Sequence, residues 1–372
     1  MKQEYSFGLP SIVFSLIGLL FLAPFSFADL LKGFEAQKRG DYETAIKEFK
    51  SSADAGDEKA IFFLGTSYKD LLRDTYKRGG DRKPIAQAAI SALEPFALRG
   101  NSEAQYQLAQ IYGLRDFKQK FDWLLKAAVQ EHGLAQWELG TIYEQGEDLF
   151  ESFRVDPNYY EARKWYEKAA NNGLDVGMES LGRLYANGKG VSRNYAMAIR
   201  WFEAAIREGN SGALLALGSL YELGKGVPRD QKKAEELYST AVSRGSFVAT
   251  ELAKERVGAA KGDADAEYRL GELWLGGGVG LVEDIDEALR LINKAADKFH
   301  PGAISALGFM YKKGWKVPQD YVMACKWYNI GAALGDGRSK HERDAIAKMM
   351  TPSQLADAQK LAREWMESRR RR

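Results

Sequence analysis

Apolar and polar residues along the chain recur with a helical period, in two alternating phrases. The cleanest copy of the second phrase is Ala198-x-x-Trp201-Phe202-x-x-Ala205-Ile206-x-x-Gly209, a spacing that puts these residues on one helical face. Matching sets begin at Ala45, Ala162, Ala234, Ala288 and Ala324, with looser ones near Ala89 and Lys120. Four positions before the leading alanine stands Asp41, Asn158, Asn194, Asp230, Asp284 or Asp320. Side-chain oxygens at that place predict an N-cap. The first phrase is Leu-Gly-x-x-Tyr, at Leu64-Gly65, Leu139-Gly140, Leu181-Gly182, Leu217-Gly218 and Leu307-Gly308. Its variants are Leu108-Ala109, Leu270-Gly271 and Leu252-Ala253. Ala213, Leu217, Leu220 and Tyr221 carry the helical period here too, so each unit reads as helix A, turn, helix B, turn. The step from Ala253 to Gly271 is about half the usual one, and Ala259-Ala260-x-Gly262 follows helix A directly. One A–B turn is therefore expected to be deleted there.

Glycine in the middle of a helix costs about 1 kcal/mol against alanine. Its recurrence at the position of Gly218 implies a close approach by a neighbouring helix. Gly188-Lys-Gly190 and Gly224-Lys-Gly226 predict turns that end helix A with a left-handed glycine.

The N-terminus breaks the pattern. Residues 12–25 are uncharged and apolar, and Ser26-Phe27-Ala28 follows. A span needs about 20 residues, so the expectation is a signal peptide of residues 1–28, cut after Ala28, and export to the periplasm or beyond. A retained anchor is the alternative. Lys+Arg is 53 and Asp+Glu is 51, giving a net charge of +2 and no electrostatic reason to expect nucleic acid. The single cysteine, Cys325, excludes internal disulfides and a cysteine-based zinc site; its helix-B position suits a buried, inert thiol. With three scattered histidines, His132, His300 and His341, no metal or cofactor is expected.

The two phrases resemble the Sel-one-like repeat (SLR), a relative of the tetratricopeptide repeat, over about residues 29–372. The ending, Arg343-Asp344, Met350-Thr351-Pro352-Ser353-Gln354 and Trp365, is similar to the terminal cap of bacterial cell-envelope members. Lys316 in place of the second turn glycine and Ala109 in place of the helix glycine depart from the pattern. The resemblance implies an all-α fold, a right-handed α-solenoid of about eight units over residues 29–338, then a helical cap and basic tail over 339–372. It also implies a non-enzymatic scaffold that binds a protein partner, in envelope assembly, host interaction or immunity to a secreted effector. Cysteine-rich SLR proteins described as binding or hydrolysing β-lactams give an enzymatic alternative, but they carry regular cysteine pairs.

By the same resemblance, the position three before the helix-A glycine faces a concave groove. Here it is Phe62, Tyr106, Trp137, Glu179, Leu215, Tyr268 and Ser305, with Gln110, Thr141, Arg183 and Glu272 one residue after the glycine. Aromatics there suit an extended ligand; they equally suit the repeat's own packing. Enlarged A–B turns at residues 69–84 and 147–157, the latter with Phe150 and Phe153, are partner-binding loops or tolerated surface insertions. Trp315 lies inside a turn and is expected to be exposed, either for contact or as a packed cap. Trp137, Trp274 and Trp315 keep sugar stacking, as in a peptidoglycan-binding module, open. Membrane contact is expected only through an uncleaved leader or the tail from Arg369 to Arg372, which more commonly is a solvated end. No Gly-x-Ser-x-Gly, His-Glu-x-x-His or paired-cysteine motif occurs.

Overall fold

The computed structural model describes residues 26–113, 116–148, 154–276 and 281–370. Residues 1–25 of the expected signal peptide, together with Phe150 and Phe153, lie outside them. The described residues form helices apart from one two-residue ladder, Glu147–Asp148 (β1) against Arg154–Val155 (β2). The chain divides into two compact units, residues 26–172 and 173–370 of the described chain.

Both units are α-solenoid arrays of short-looped helix pairs. The first holds α1 (Ser26–Lys38) with α2 (Tyr42–Asp54), α3 (Glu58–Lys77) with α4 (Lys83–Leu98), α5 (Ser102–Tyr112) with α6 (Phe117–Val129), and α7 (Gly133–Gln145) with α8 (Tyr159–Asn171). The second begins with α9 (Asp175–Asn187) and α10 (Tyr195–Arg207), then α11 (Ser211–Leu223) and α12 (Gln231–Ser243). The single helix α13 (Phe247–Ala260) follows, a unit whose A–B turn is missing, as the half-length step predicts. Next come α14 (Ala264–Gly276) with α15 (Ile285–Asp297), α16 (Pro301–Lys313) with α17 (Tyr321–Ala333), and a terminal α18 (Gly337–Ala347) and α19 (Pro352–Arg370). The expected cut after Ala28 falls in the first turn of α1.

The sequence caps form. Asp41, Asn158, Asn194, Asp230, Asp284 and Asp320 each accept a hydrogen bond from a backbone N–H in the first turn of helix B. Five of these same residues also close the A–B turn with their own N–H, which donates to the aromatic of the first phrase. Asn194 donates to Tyr185 O (2.8 Å), Asp230 to Tyr221 O (2.9 Å) and Asp320 to Tyr311 O (3.0 Å).

Four of the mid-helix glycines meet a ring rather than a backbone, whereas Gly65 faces Gln107 and Gly271 faces Ile292. A Cβ on Gly218 would stand 2.6 Å from the Tyr238 ring, and one on Gly140, Gly182 or Gly308 would strike Tyr166, Phe202 or Tyr328 at 2.5, 2.6 and 2.7 Å. Each ring lies on helix B of the same pair and is buried. Gly33 against Phe49 repeats the arrangement at 2.6 Å, which makes α1 a helix A whose phrase, Lys32-Gly33, the leucine-based pattern misses.

Two expectations need correcting. The stretch 69–84 is not a loop: α3 continues to Lys77, because Tyr68 and Leu72 extend its buried stripe, and only residues 78–82 connect to α4. The basic tail begins anchored. The Arg369 guanidinium lies over Trp365 and donates to Asp297 (3.0 Å), while Trp365 packs edge-on to Trp327 and Phe299. Among the described residues no helix is long and apolar enough to cross a membrane.

Candidate functional site: the exposed faces of the A helices

The entry to helix A follows one rule. The residue before its N-cap has a left-handed backbone: Gly56, Gly100, Gly173, Gly209, Gly245, Gly262 or Gly335, with Glu131 (φ 63°) and Phe299 (φ 61°) as the two exceptions. Those exceptions precede the two histidine caps. His132 Nδ1 accepts from Ala135 N (3.3 Å) and His300 Nδ1 from Ala303 N (3.1 Å). An acceptor Nδ1 leaves the proton on Nε2, which faces Glu103 (3.0 Å) or Asp265 (2.9 Å) on the preceding helix A. Tyr106 stacks on His132 with centroids 4.6 Å apart, and Tyr268 lies against His300 at 4.7 Å. Asn210 does the same work without an imidazole, capping at Ala213 N and donating to Asp175 (3.1 Å). Sequence reasoning missed this tie between successive A helices. The signal was present, since the N-caps Asp57, Asn101, His132, Asn210 and His300 each stand eight residues before the helix-A glycine or its alanine substitute.

In the first unit the candidate residues on α5 and α7 fall within one polar network. Gln110 donates to Glu138 (2.6 Å), and Lys120 pairs with the other oxygen of that carboxylate (2.6 Å). Burial alone would raise the Glu103 carboxyl, but hydrogen bonds from His132 and Gln107 outweigh it and hold it below the ordinary glutamate value. Burial lowers the nearby Lys69 ammonium, opposed by Glu103, Asp70 and Glu138, and desolvation is the main reason the Tyr106 phenol is pushed up. Trp137 is half-buried beside Glu138. Thr141 turns away from the open face, donating to Trp137 O (3.2 Å) and accepting from Tyr166 (3.3 Å). Phe62 is exposed, its ring edge against Phe63.

In the second unit Tyr268 donates to the exposed Glu272 (2.6 Å), and Arg183 lies 3.7 Å from Glu179. Trp315 is 43% exposed and sits edge-on to Phe309, itself 47% exposed, an aromatic pair that no spacing in the repeat marks. Trp274 is fully buried, which removes it from any sugar-stacking role. Cys325 is buried as well, and burial pushes its thiol up. Leu215 corrects the groove expectation: it is 1% exposed and shares an apolar cluster with the chain's own Leu281. Among the described residues no group of three or more His, Cys, Asp or Glu could hold a metal ion. The polar groups described here are engaged in caps and pairs within the chain.

A family model described as Sel1 repeat matches residues 102–132, 133–174, 176–210, 211–246, 264–298 and 301–336. Among curated proteins, the chain is 32% identical over 160 residues to the ERAD-associated E3 ubiquitin-protein ligase component HRD3B of Arabidopsis thaliana, covering 41% of this chain and 23% of that one. It is 32% identical over 133 residues to the chitin synthase regulator SKT5 of Saccharomyces cerevisiae, covering 30% and 18%. The matched segment therefore spans less than a quarter of either relative. Among solved structures, a protective antigen of uropathogenic Escherichia coli displaying an SLR fold is similar over 92% of both chains (22% identity, TM-score 0.47). A Sel1 repeat protein from Oxalobacter formigenes is similar over 74% of this chain and 95% of its own (24% identity, TM-score 0.39).

Proposed function

The chain belongs to the Sel1 repeat family, and from that premise we propose that it is a non-catalytic scaffold that holds a protein partner against the open faces of its A helices. The observation that carries this reading is the set of half-open aromatic and polar side chains on α5 and α7: Tyr106, Gln110 and Trp137, framed by the His132–Glu103 and Lys120–Glu138 pairs. Rigid aromatics fixed by a polar surround are what a protein interface uses as anchors, because little conformational freedom is lost when they are covered. HRD3B is named as a ligase component and SKT5 as a synthase regulator, roles exercised on other proteins, which supports the same reading here. The reading embraces envelope assembly, host interaction and effector immunity alike. The apolar residues 12–25, with Ser26 and Ala28, support action outside the cytoplasm after cleavage before Asp29. N-terminal sequencing of the protein from fractionated cells tests that point; a retained Met1 overturns it.

The binding test is in-cell crosslinking followed by purification and affinity measurement of the captured partner. Tyr106→Ala combined with Trp137→Ala is expected to weaken that partner at least tenfold. If the double variant keeps full affinity while deletion of residues 147–157 releases the partner, binding belongs to the loop edge and the A-helix reading is wrong.

A further inference from the structure

Three residues before the helix-A glycine, or its alanine substitute, and one residue after it, the side chains are at least partly open on every A helix compared, with α11 as the exception. Phe62 and Thr66, Tyr106 and Gln110, Trp137 and Thr141, Glu179 and Arg183, Tyr268 and Glu272, and Ser305 and Phe309 are all half-buried or exposed. On α11 the same two places are Leu215 and Ser219, 1% and 0% exposed.

Four consecutive residues account for the difference. Leu281 and Val282 are each 1% exposed, and Leu281 shares an apolar cluster with Leu215 and Trp274. The Val282 N–H donates to Ser219 Oγ (3.2 Å) across 63 positions of sequence. Apolar side chains seated on a helix face together with a main-chain hydrogen bond are the usual means of holding an extended peptide. The next two residues are read by charge. Lys225 pairs with Asp284 (2.6 Å), Lys316 with Glu283, and Lys189 approaches Glu283 at 3.7 Å. All three lysines come from A–B turns, those of the α9/α10, α11/α12 and α16/α17 pairs. Glu283 Oε2 is buried and accepts no hydrogen bond, and its ion-pair partner Lys189 stands 3.7 Å away.

We propose that the α11 face is a docking site for an extended partner segment with two apolar residues followed by two acidic ones, kept closed by residues 281–284 as an internal occupant. The inference rests on the A-helix reading above and names the partner chemistry for one part of it. A tethered occupant acts at an effective concentration of roughly millimolar order. A free segment of the same sequence therefore competes poorly, and a longer partner with additional contacts opens the site.

The probe is a fluorescein-labelled peptide of residues 280–285 (Gly-Leu-Val-Glu-Asp-Ile), read by anisotropy on the full chain. Leu281→Ser and Val282→Ser, combined with Glu283→Gln and Asp284→Asn to free the lysines, vacate the face and are expected to bind the probe at least tenfold more tightly than the parent chain does, with affinity falling as salt rises. Adding Lys225→Glu is expected to abolish that gain. No binding by the vacated variant, or no effect of Lys225→Glu, overturns the inference. Should the vacated variant fail to fold by circular dichroism, Asp284→Asn keeps the cap on α15 and removes only the lysine pair. Excess probe added to it is expected to speed hydrogen exchange at the Val282 amide, and unchanged exchange overturns the inference equally. Failure here while Tyr106→Ala with Trp137→Ala still releases the partner refutes the internal occupant and leaves the A-helix reading standing.

Discussion

At the scale of single residues, small side chains and left-handed backbone carry the repeat. Gly218 leaves just enough room for the Tyr238 ring, whose hydroxyl donates to Glu222 (2.8 Å), so ring and helix are held together at both ends. Gly218→Val drives two methyl groups into that ring and is expected to lower stability by about 1–3 kcal/mol. A urea titration superimposing on that of the parent chain would remove the packing account. The opposite outcome is expected at Glu131. Its φ of 63° occupies a place that glycine holds in seven other B–A turns, its side chain is exposed, and its backbone is hydrogen-bonded, the N–H donating to Ala128 O (3.1 Å) and the carbonyl accepting from Asn172 (3.0 Å). Glu131→Gly keeps those bonds and removes the left-handed strain, for an expected gain of about 0.5–1 kcal/mol after the entropy lost with glycine is set against it. An unchanged or lower urea midpoint counts against strain at this turn. Phe299 shares the conformation, but its ring packs on Trp365, so the same change there loses more contact than it relieves strain.

At the scale of elements, the terminal cap is fastened by charge. Glu342 on α18 is paired with Lys312 on α16, which, helped by His341 and Arg338, holds its carboxyl below the ordinary glutamate value against the opposing effect of burial. A depressed carboxyl contributes fully above its unfolded-state value and loses that contribution as pH falls through the folded one. Stability of the α16–α18 contact is therefore expected to drop on the acid side of the ordinary glutamate range. Glu342→Gln should flatten that drop while leaving the most acidic points unchanged, as read by denaturant midpoints from pH 6 downward. An identical acid slope in both proteins assigns the drop to other carboxylates. The helix-B starts were legible because an Asp or Asn oxygen four residues ahead of an alanine is a local signal. The histidine caps were not, since imidazole is an uncommon cap and only its distance from the helix glycine marks it. The stretch 69–84 was misread because length alone suggested a loop, whereas Leu72 keeps the apolar period and carries α3 onward. The cover over α11 was illegible for a different reason: Val282 and Ser219 stand 63 positions apart, and no periodic signal joins a turn to a helix two pairs away.

At the scale of the molecule, a repeat array has no single centre to disrupt. Each pair touches mainly its neighbours, so damage spreads by adjacency and fades with distance along the stack. The chain nevertheless forms two compact units, residues 26–172 and 173–370 of the described part. Their response to a local lesion separates these two levels of organisation. Gly140→Val places a branched side chain where a lone Cβ would already stand 2.5 Å from Tyr166, whose hydroxyl donates to Glu144 (2.8 Å). Amide exchange is expected to rise most in α7 and α8, less in the pairs before them, and not at all in α11 through α17. Such a gradient bounded at the unit would mean that a partner bound to the faces of α5 and α7 steadies one unit alone, leaving the α11 site and its internal occupant under separate control. A uniform rise across both units would instead describe one cooperative body, in which occupancy at either face is felt at the other.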